Sequence, residues 1–176
     1  MIVTVGGQAA SGKSTLAKSL ADRLSFKHLS AGKLMREMAE EKGMSLLDFS
    51  IYAETHPEID KNIDEKQKSL AKGDCIVDGR LSRFFLNPEV SIWLVAPSKI
   101  RGERALGRGE KYKTLDEAEA AILKRDVSER KRYVDYYDID LEDLSCYDLV
   151  LNTGRFNIKQ MTEIAYLAVD SLRSIK

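Results

Sequence analysis

Along the chain, short runs of β-branched and aliphatic residues alternate with longer stretches in which apolar positions recur every three or four residues. The first pattern is that of buried strands and the second that of amphipathic helices, and their alternation predicts βαβ units around a parallel sheet. Strands are expected at 2–5, 27–29, 75–77, 91–95 and 149–151. Helices are expected at 13–24, where Leu16, Leu20 and Leu24 form one stripe, and at 32–42, 59–72, 98–106, 115–133 and 158–172. The stretch 32–73 is helical and strongly charged, and it interrupts the strand alternation. It reads as a helical segment above the sheet, broken into shorter helices at Gly43 and at Thr55-His56-Pro57.

The chain contains no internal repeat or low-complexity linker, and Pro57, Pro88 and Pro97 are scattered, so one domain is expected over residues 1–176. Composition narrows the class further. Hydrophobic residues make up 43% and charged residues 32%, enough for a core under an ionised surface. Lys and Arg total 28 against 28 Asp and Glu, a balance that excludes a general nucleic-acid coat or a polybasic membrane binder. The longest apolar runs, 92–96 and 165–169, are far below the roughly 20 residues that cross a bilayer. Gly6-Gly7 ends the first apolar stretch too early for a signal peptide, and a cytoplasmic protein is expected. Cys75 and Cys146 lack metal-site spacing and are expected to be buried, as is Trp93; His28 and His56 have no partner at ligand or triad spacing.

Directly after the first strand comes Gly7-Gln8-Ala9-Ala10-Ser11-Gly12-Lys13-Ser14-Thr15, which fits G-x-x-x-x-G-K-[ST] without a mismatch and opens into a helix. Glycines let successive backbone N–H groups wrap a phosphate, and the following helix adds the positive end of its dipole. Lys13 is expected to reach the β- and γ-phosphates of ATP, and Ser14 to ligate Mg²⁺.

The arginines mark a second phosphate site. Arg36, within Ser30-Ala31-Gly32-Lys33-Leu34-Met35-Arg36, follows the second strand, and Arg80, within Asp78-Gly79-Arg80, follows the third. Both lie beyond strand carboxyl ends, where open parallel sheets bind ligands. Arg101, Arg104 and Arg108 follow the fourth strand at helical spacing, and Arg125, Glu129 and Arg132 share a helix face. Eight of the twelve arginines fall between Arg80 and Arg132, so a neutral chain is expected to carry a concentrated cationic cleft.

Together, the loop, Ser-Ala-Gly-x-x-x-Arg and Asp-Gly-Arg resemble the nucleoside monophosphate kinases. With Tyr136-Tyr137-Asp138-Ile139-Asp140 and Leu151-Asn152-Thr153, the whole chain is most similar to the compact archaeal type of cytidylate kinase. The resemblance implies an α/β fold of the P-loop NTPase type, with a five-stranded parallel sheet flanked by helices. It also implies an acceptor-binding segment at 32–73 and a short lid at 107–113. The implied reaction moves the γ-phosphoryl group of Mg-ATP to CMP, and to dCMP, in a monomer that binds neither nucleic acid nor membrane; the alternatives are the same chemistry on AMP, UMP or a small metabolite alcohol, or a nucleotide-dependent switch or repair ATPase. Arg36 and Arg125 would clamp the acceptor phosphate with Ser30, Gly32 and Glu129 beside them, Arg132 would span both phosphates, and Arg80 would contact the acceptor at its base end. Arg104 and Arg108 would hold ATP, and Asp78 would orient a water on Mg²⁺. Guanidinium groups suit these roles because they bind phosphate bidentately and keep their charge. Related kinases often have Ser or Thr where this chain has Ala31, so either Ser30 takes its place or that hydrogen bond to the acceptor is absent.

Overall fold

A computed structural model describes residues 1–108 and 112–173. Five strands form one wholly parallel sheet: β1 (Ile2–Gly7), β2 (Lys27–Ser30), β3 (Cys75–Asp78), β4 (Val90–Val95) and β5 (Leu149–Asn152), in the order β2-β3-β1-β4-β5. The strand at the centre, β1, is buried along nearly its whole length, which is why it reads as an apolar run without alternation. Its partners β3 and β4 diverge on either side, and the crevice at their carboxyl ends is where such sheets bind ligands.

Helices α1 (Lys13–Leu24) and α8 (Ile158–Arg173) cover one face. Val3, Val5, Leu16, Leu20, Ile76, Ile92, Leu94 and Val169 form the main core, all of them fully buried. Removing Leu16 or Leu20 would leave a cavity beneath the sheet, at a cost of about 2–5 kcal/mol. Helix α6 (Ser98–Leu106) and the long α7 (Leu115–Tyr137) pack on each other and on Ala9 of the loop after β1. Thr114 caps α7, its hydroxyl accepting from Glu117 N at 3.2 Å, while Glu117 reaches back to Lys113 N at 2.8 Å.

Between β2 and β3 the chain forms α2 (Ala31–Glu41), α3 (Leu46–Tyr52), a 3₁₀ turn (Ala53–Thr55) and α4 (Pro57–Leu70), with no strand. Met35, Ala39, Phe49, Ala53, Ile59 and Ile63 give these helices a small core of their own. A short α5 (Ser82–Leu86) follows β3. Its five residues are too few to show a helical period in sequence. Helix α7 continues four residues past the expected end at Tyr133, because tertiary anchors hold its last turn. Tyr136 Oη donates to Glu54 O and Tyr137 Oη to Asp64 Oδ2, and the helix stops where Asp138 turns left-handed at φ 55°.

Trp93 is buried, as is Cys75, but Cys146 is only partly so, because it sits in the loop before β5 rather than in a strand. Among the described residues no helix is long and apolar enough to cross a membrane. Residues 109–111, the middle of the expected lid, lie outside the described residues.

Candidate active site

The loop from Gly7 to Ser14 turns at the end of β1 and enters α1. Gly7 has a φ of 145°, and a Cβ there would lie 2.5 Å from Leu94 O and 2.7 Å from Ser11 Oγ, so the turn admits no side chain. Gly12, at φ 97°, is the N-cap of α1 and offers no side chain to its first N–H groups, which leaves them for an anion. Lys13 Nζ donates to the carbonyls of Gly7 at 2.8 Å and Gln8 at 2.7 Å, curling over the loop. Burial and then the facing Arg80 guanidinium hold its pKa well below the usual lysine value, against the pull of Glu129 and Asp78.

Two braces fix the loop from outside. Asp126 on α7 accepts from Ala9 N at 2.9 Å and from Arg101 Nη1 at 2.5 Å, and the same Arg101 nitrogen donates to Ala9 O at 3.1 Å. On the other side Arg104 Nη1 donates to Thr153 Oγ1 at 2.8 Å and to Ser11 O at 3.3 Å, and Thr153 Oγ1 donates to Ser11 O at 2.8 Å. Arg101 is therefore a buried strut of the loop, and Arg104 lies against its outer edge with Nη1 turned to Ser11.

At the end of β3, the buried Asp78 collects three side chains. Its Oδ1 accepts from Ser14 Oγ and from Ser30 Oγ, each at 3.0 Å, and its Oδ2 lies 2.6 Å from His28 Nε2. No sequence spacing points to this partner of His28, which exists because parallel β2 and β3 set Ser30 opposite Asp78 and bring His28 within reach of it. The oxygens of Ser14 and Asp78 are the hard donors Mg²⁺ prefers, so the residues fit that ion.

Across the cleft stands a network of arginines and carboxylates. Glu129, fully buried, takes Arg125 Nε on Oε1 at 2.8 Å and Arg80 Nη1 on Oε2. Burial raises its pKa, but Arg80, Arg125, Arg132 and Lys13 together pull it down to about 2. Arg80 also reaches Asp126 Oδ1 at 3.3 Å, so it sits low in the cleft beside the loop. Arg132 lies deeper: Nε donates to Asp60 Oδ2 at 2.8 Å, Nη1 to Ser50 O at 2.8 Å and Ser50 Oγ at 3.0 Å, and Nη2 to Asp60 Oδ1 at 3.5 Å. Arg36, on the exposed side of α2, folds back toward Gly32.

One cleft thus gathers most of the residues singled out from sequence: the loop from Ala9 to Ser14, Gly32, Arg36, Asp78, Arg80, Arg108, Arg125, Glu129 and Arg132 all line it. Thr15 and Arg104 instead line a recess on the far side of the loop with Phe156 and Asn157, and Arg108 stands between the two. Ser30 is turned to Asp78 and Lys33 N, Gly7 lies beneath the loop, and Gln8 contributes its carbonyl to Lys13. Sequence reasoning passed over Asp60, Asp64, Gln67, Asp126 and His28. The sequence did hold a signal for one of them, since Asp126 adjoins Arg125 on a helix already assigned to the site.

The fold and the loop define the class. A five-stranded parallel sheet with a phosphate-binding loop after its central strand is the P-loop kinase fold. It is shared with shikimate kinase from Bacteroides thetaiotaomicron, with a TM-score of 0.60 at 14% identity over 97% of this chain and 98% of that one. An uncharacterized protein from Eubacterium ventriosum matches with a TM-score of 0.69 at 20% identity, over 97% of this chain and 99% of the other. Sequence gives the family. The profile of the cytidylate kinase-like family matches residues 2–155, and the chain belongs to that family. The cytidylate kinase of Methanosphaera stadtmanae is 42% identical over 97% of this chain and 99% of its own length. That of Methanocaldococcus jannaschii is 41% identical over 98% and 99%.

Proposed function

We infer that this chain is an ATP-dependent nucleoside monophosphate kinase whose acceptor is CMP, and that it takes dCMP as well, giving the diphosphate and ADP. The observation that carries this reading is the meeting, in one cleft, of a phosphate loop and an arginine cluster on the opposite wall. A hydrolase needs only the first; a kinase that must hold a second phosphorylated ligand needs both. The archaeal relatives named cytidylate kinase, aligned over nearly the whole chain, give the base.

In this reading the amides of the loop at 7–15 and the start of α1 hold the β-phosphate of ATP, and Lys13 follows the phosphoryl group toward the acceptor. Arg104 and Arg108 flank the ATP side, with the adenine in the recess beyond Gly12 and Thr15. Ser14 would hold Mg²⁺ directly and Asp78 through a water. That ion supplies charge neutralisation across the β- and γ-oxygens when bound. Arg36 and Arg125 grip the acceptor phosphate beside Ser30 and Gly32, and Arg132 lines the cleft from α7 with its guanidinium held by Asp60 and Ser50, so that spanning both phosphates requires it to exchange those partners for them. Glu129 holds Arg80 and Arg125 together, one on each of its oxygens. Arg80, lying next to Asp126 and the loop, suits the phosphoryl end of the acceptor better than its base, a shift from the role expected for it in sequence. Catalysis then rests on positioning and charge neutralisation, and no covalent intermediate is required.

Parallel initial-rate assays with ATP and CMP, dCMP, UMP, AMP or shikimate test this directly. CMP and dCMP should give the highest kcat/KM; a preference for AMP or for shikimate would refute the assignment.

A further inference from the structure

The chain of ion pairs across the cleft has a direction. It runs from Lys13 at the loop past Glu129, which pairs with Arg80 and Arg125 and also feels Lys13 and Arg132, to Arg132, which pairs with Asp60 on α4. Beyond Asp60 the same face of α4 presents Asp64 and Gln67, which line the cleft and are almost wholly buried. Seven residues at 1.5 Å each put Gln67 about 10 Å past Asp60 along the helix, where its Oε1 lies beside Gly79 at the end of β3. This end is flanked by the apolar Met35, Ile63 and Leu81. A nucleotide whose phosphate meets the arginines would bring its base here.

The polar groups at this end are arranged unequally. Both oxygens of Asp60 are turned to Arg132. Asp64 has no Lys or Arg among the described residues within ion-pair distance. It meets only Tyr137 Oη at 3.4 Å and Gln67 Nε2 at 3.5 Å, long contacts for a buried carboxyl group. Gln67 Oε1 accepts a short bond from the buried Ser82 Oγ, at 2.6 Å, which fixes the amide with Nε2 on the side of Asp64. The cleft therefore offers an acceptor and a donor side by side.

We propose that Asp64 and Gln67 read the pairing edge of the acceptor base: Asp64 accepts from the exocyclic amine of cytosine, and Gln67 Nε2 donates to the adjacent N3 or O2. The proposal rests on the assignment of CMP as acceptor and names the residues that select it. Uracil would set its O4 against the Asp64 carboxylate and its N3–H against the Gln67 amide, leaving buried groups in opposition. Adenine presents the same amine-and-acceptor pair as cytosine, so the apolar walls must exclude it by size.

The test measures kcat/KM for CMP and for UMP in the wild type, Asp64→Asn and Gln67→Met, each with its KM for ATP and its melting temperature. Asn keeps an acceptor but adds a donor that suits O4 of uracil. The CMP-to-UMP ratio of Asp64→Asn should fall ~10–100-fold, mostly through the two acceptor KM values, with KM for ATP little changed. Gln67→Met should lower kcat/KM for CMP about 10-fold more than that for UMP. A folded Asp64→Asn that keeps the wild-type ratio within twofold overturns the proposal. If Asp64→Asn does not fold, an unchanged ratio in Gln67→Met overturns it instead. A wild type that does not prefer CMP to UMP removes the CMP assignment itself, a failure distinct from unaltered ratios in the variants.

Discussion

Replacing Glu129 by glutamine keeps the shape of the side chain but removes the carboxylate that holds Arg80 and Arg125 together. The site is buried, and Arg132 and Lys13 also act on this carboxylate, so the variant would leave several cations facing one another with less compensation. Breaking a buried ion pair by removing one partner costs about 3–5 kcal/mol. For a domain of this length each kcal/mol lowers the melting temperature by roughly 2–4 °C, so Glu129→Gln should melt about 6–20 °C below the wild type. Nucleotide phosphates bring negative charge to the same arginines. Saturating ATP and CMP should therefore raise the melting temperature of the variant more than that of the wild type. Thermal unfolding followed by circular dichroism, with and without nucleotides, measures both. A variant that melts within about 2 °C of the wild type in the free state would show that Glu129 does not hold the arginines as described.

Lys13→Ala should abolish phosphoryl transfer while leaving the melting temperature close to the wild type, as read by a coupled ADP assay and circular dichroism. Asp126→Ala takes away the acceptor for Ala9 N and Arg101 and should raise KM for ATP about 10-fold or more, because a loosened loop no longer presents its amides together. Asp64 gives a pH signature: burial and then neighbouring Asp60 push its pKa from 3.8 up to about 7. The folded state then favours the protonated carboxyl, so the group is neutral in both states below 3.8, costs progressively more stability as pH rises from there to about 7, and costs a constant amount above it. Asp64→Asn should gain stability relative to the wild type between pH 4 and 7, read from paired melting curves; a constant difference would contradict it. Glu129 has the opposite sign, and the stability it contributes above its ordinary 4.5 should be lost as pH falls toward about 2.

Much of this architecture is written locally. The five strands and the larger helices follow from runs and periods of a few residues, and their ends moved by four residues or fewer. The phosphate loop is legible because one contiguous segment supplies the turn, the amides and the lysine. The arginines were visible for a similar reason, since their positions just past strand ends and along one face of α7 follow from the element pattern. Their partners were not. Asp126 and Ala9 are 117 residues apart, Arg132 and Asp60 are 72 apart, and His28 and Asp78 are 50 apart. Such pairs exist only once the sheet order is set, and no spacing rule within a single element points to them. The role proposed for Arg80 differs from the one expected in sequence for the same reason: its loop was placed correctly, but the two carboxylates it meets come from α7.

The central claim is that one cleft holds two phosphorylated ligands and passes a phosphoryl group between them. Mixing the protein with Mg-ATP, with and without CMP, and quantifying ADP, CDP and inorganic phosphate by chromatography tests it most directly. CDP and ADP should appear in equal amounts, with almost no phosphate released when CMP is absent. ADP and phosphate formed at the same rate whether or not CMP is present would contradict it.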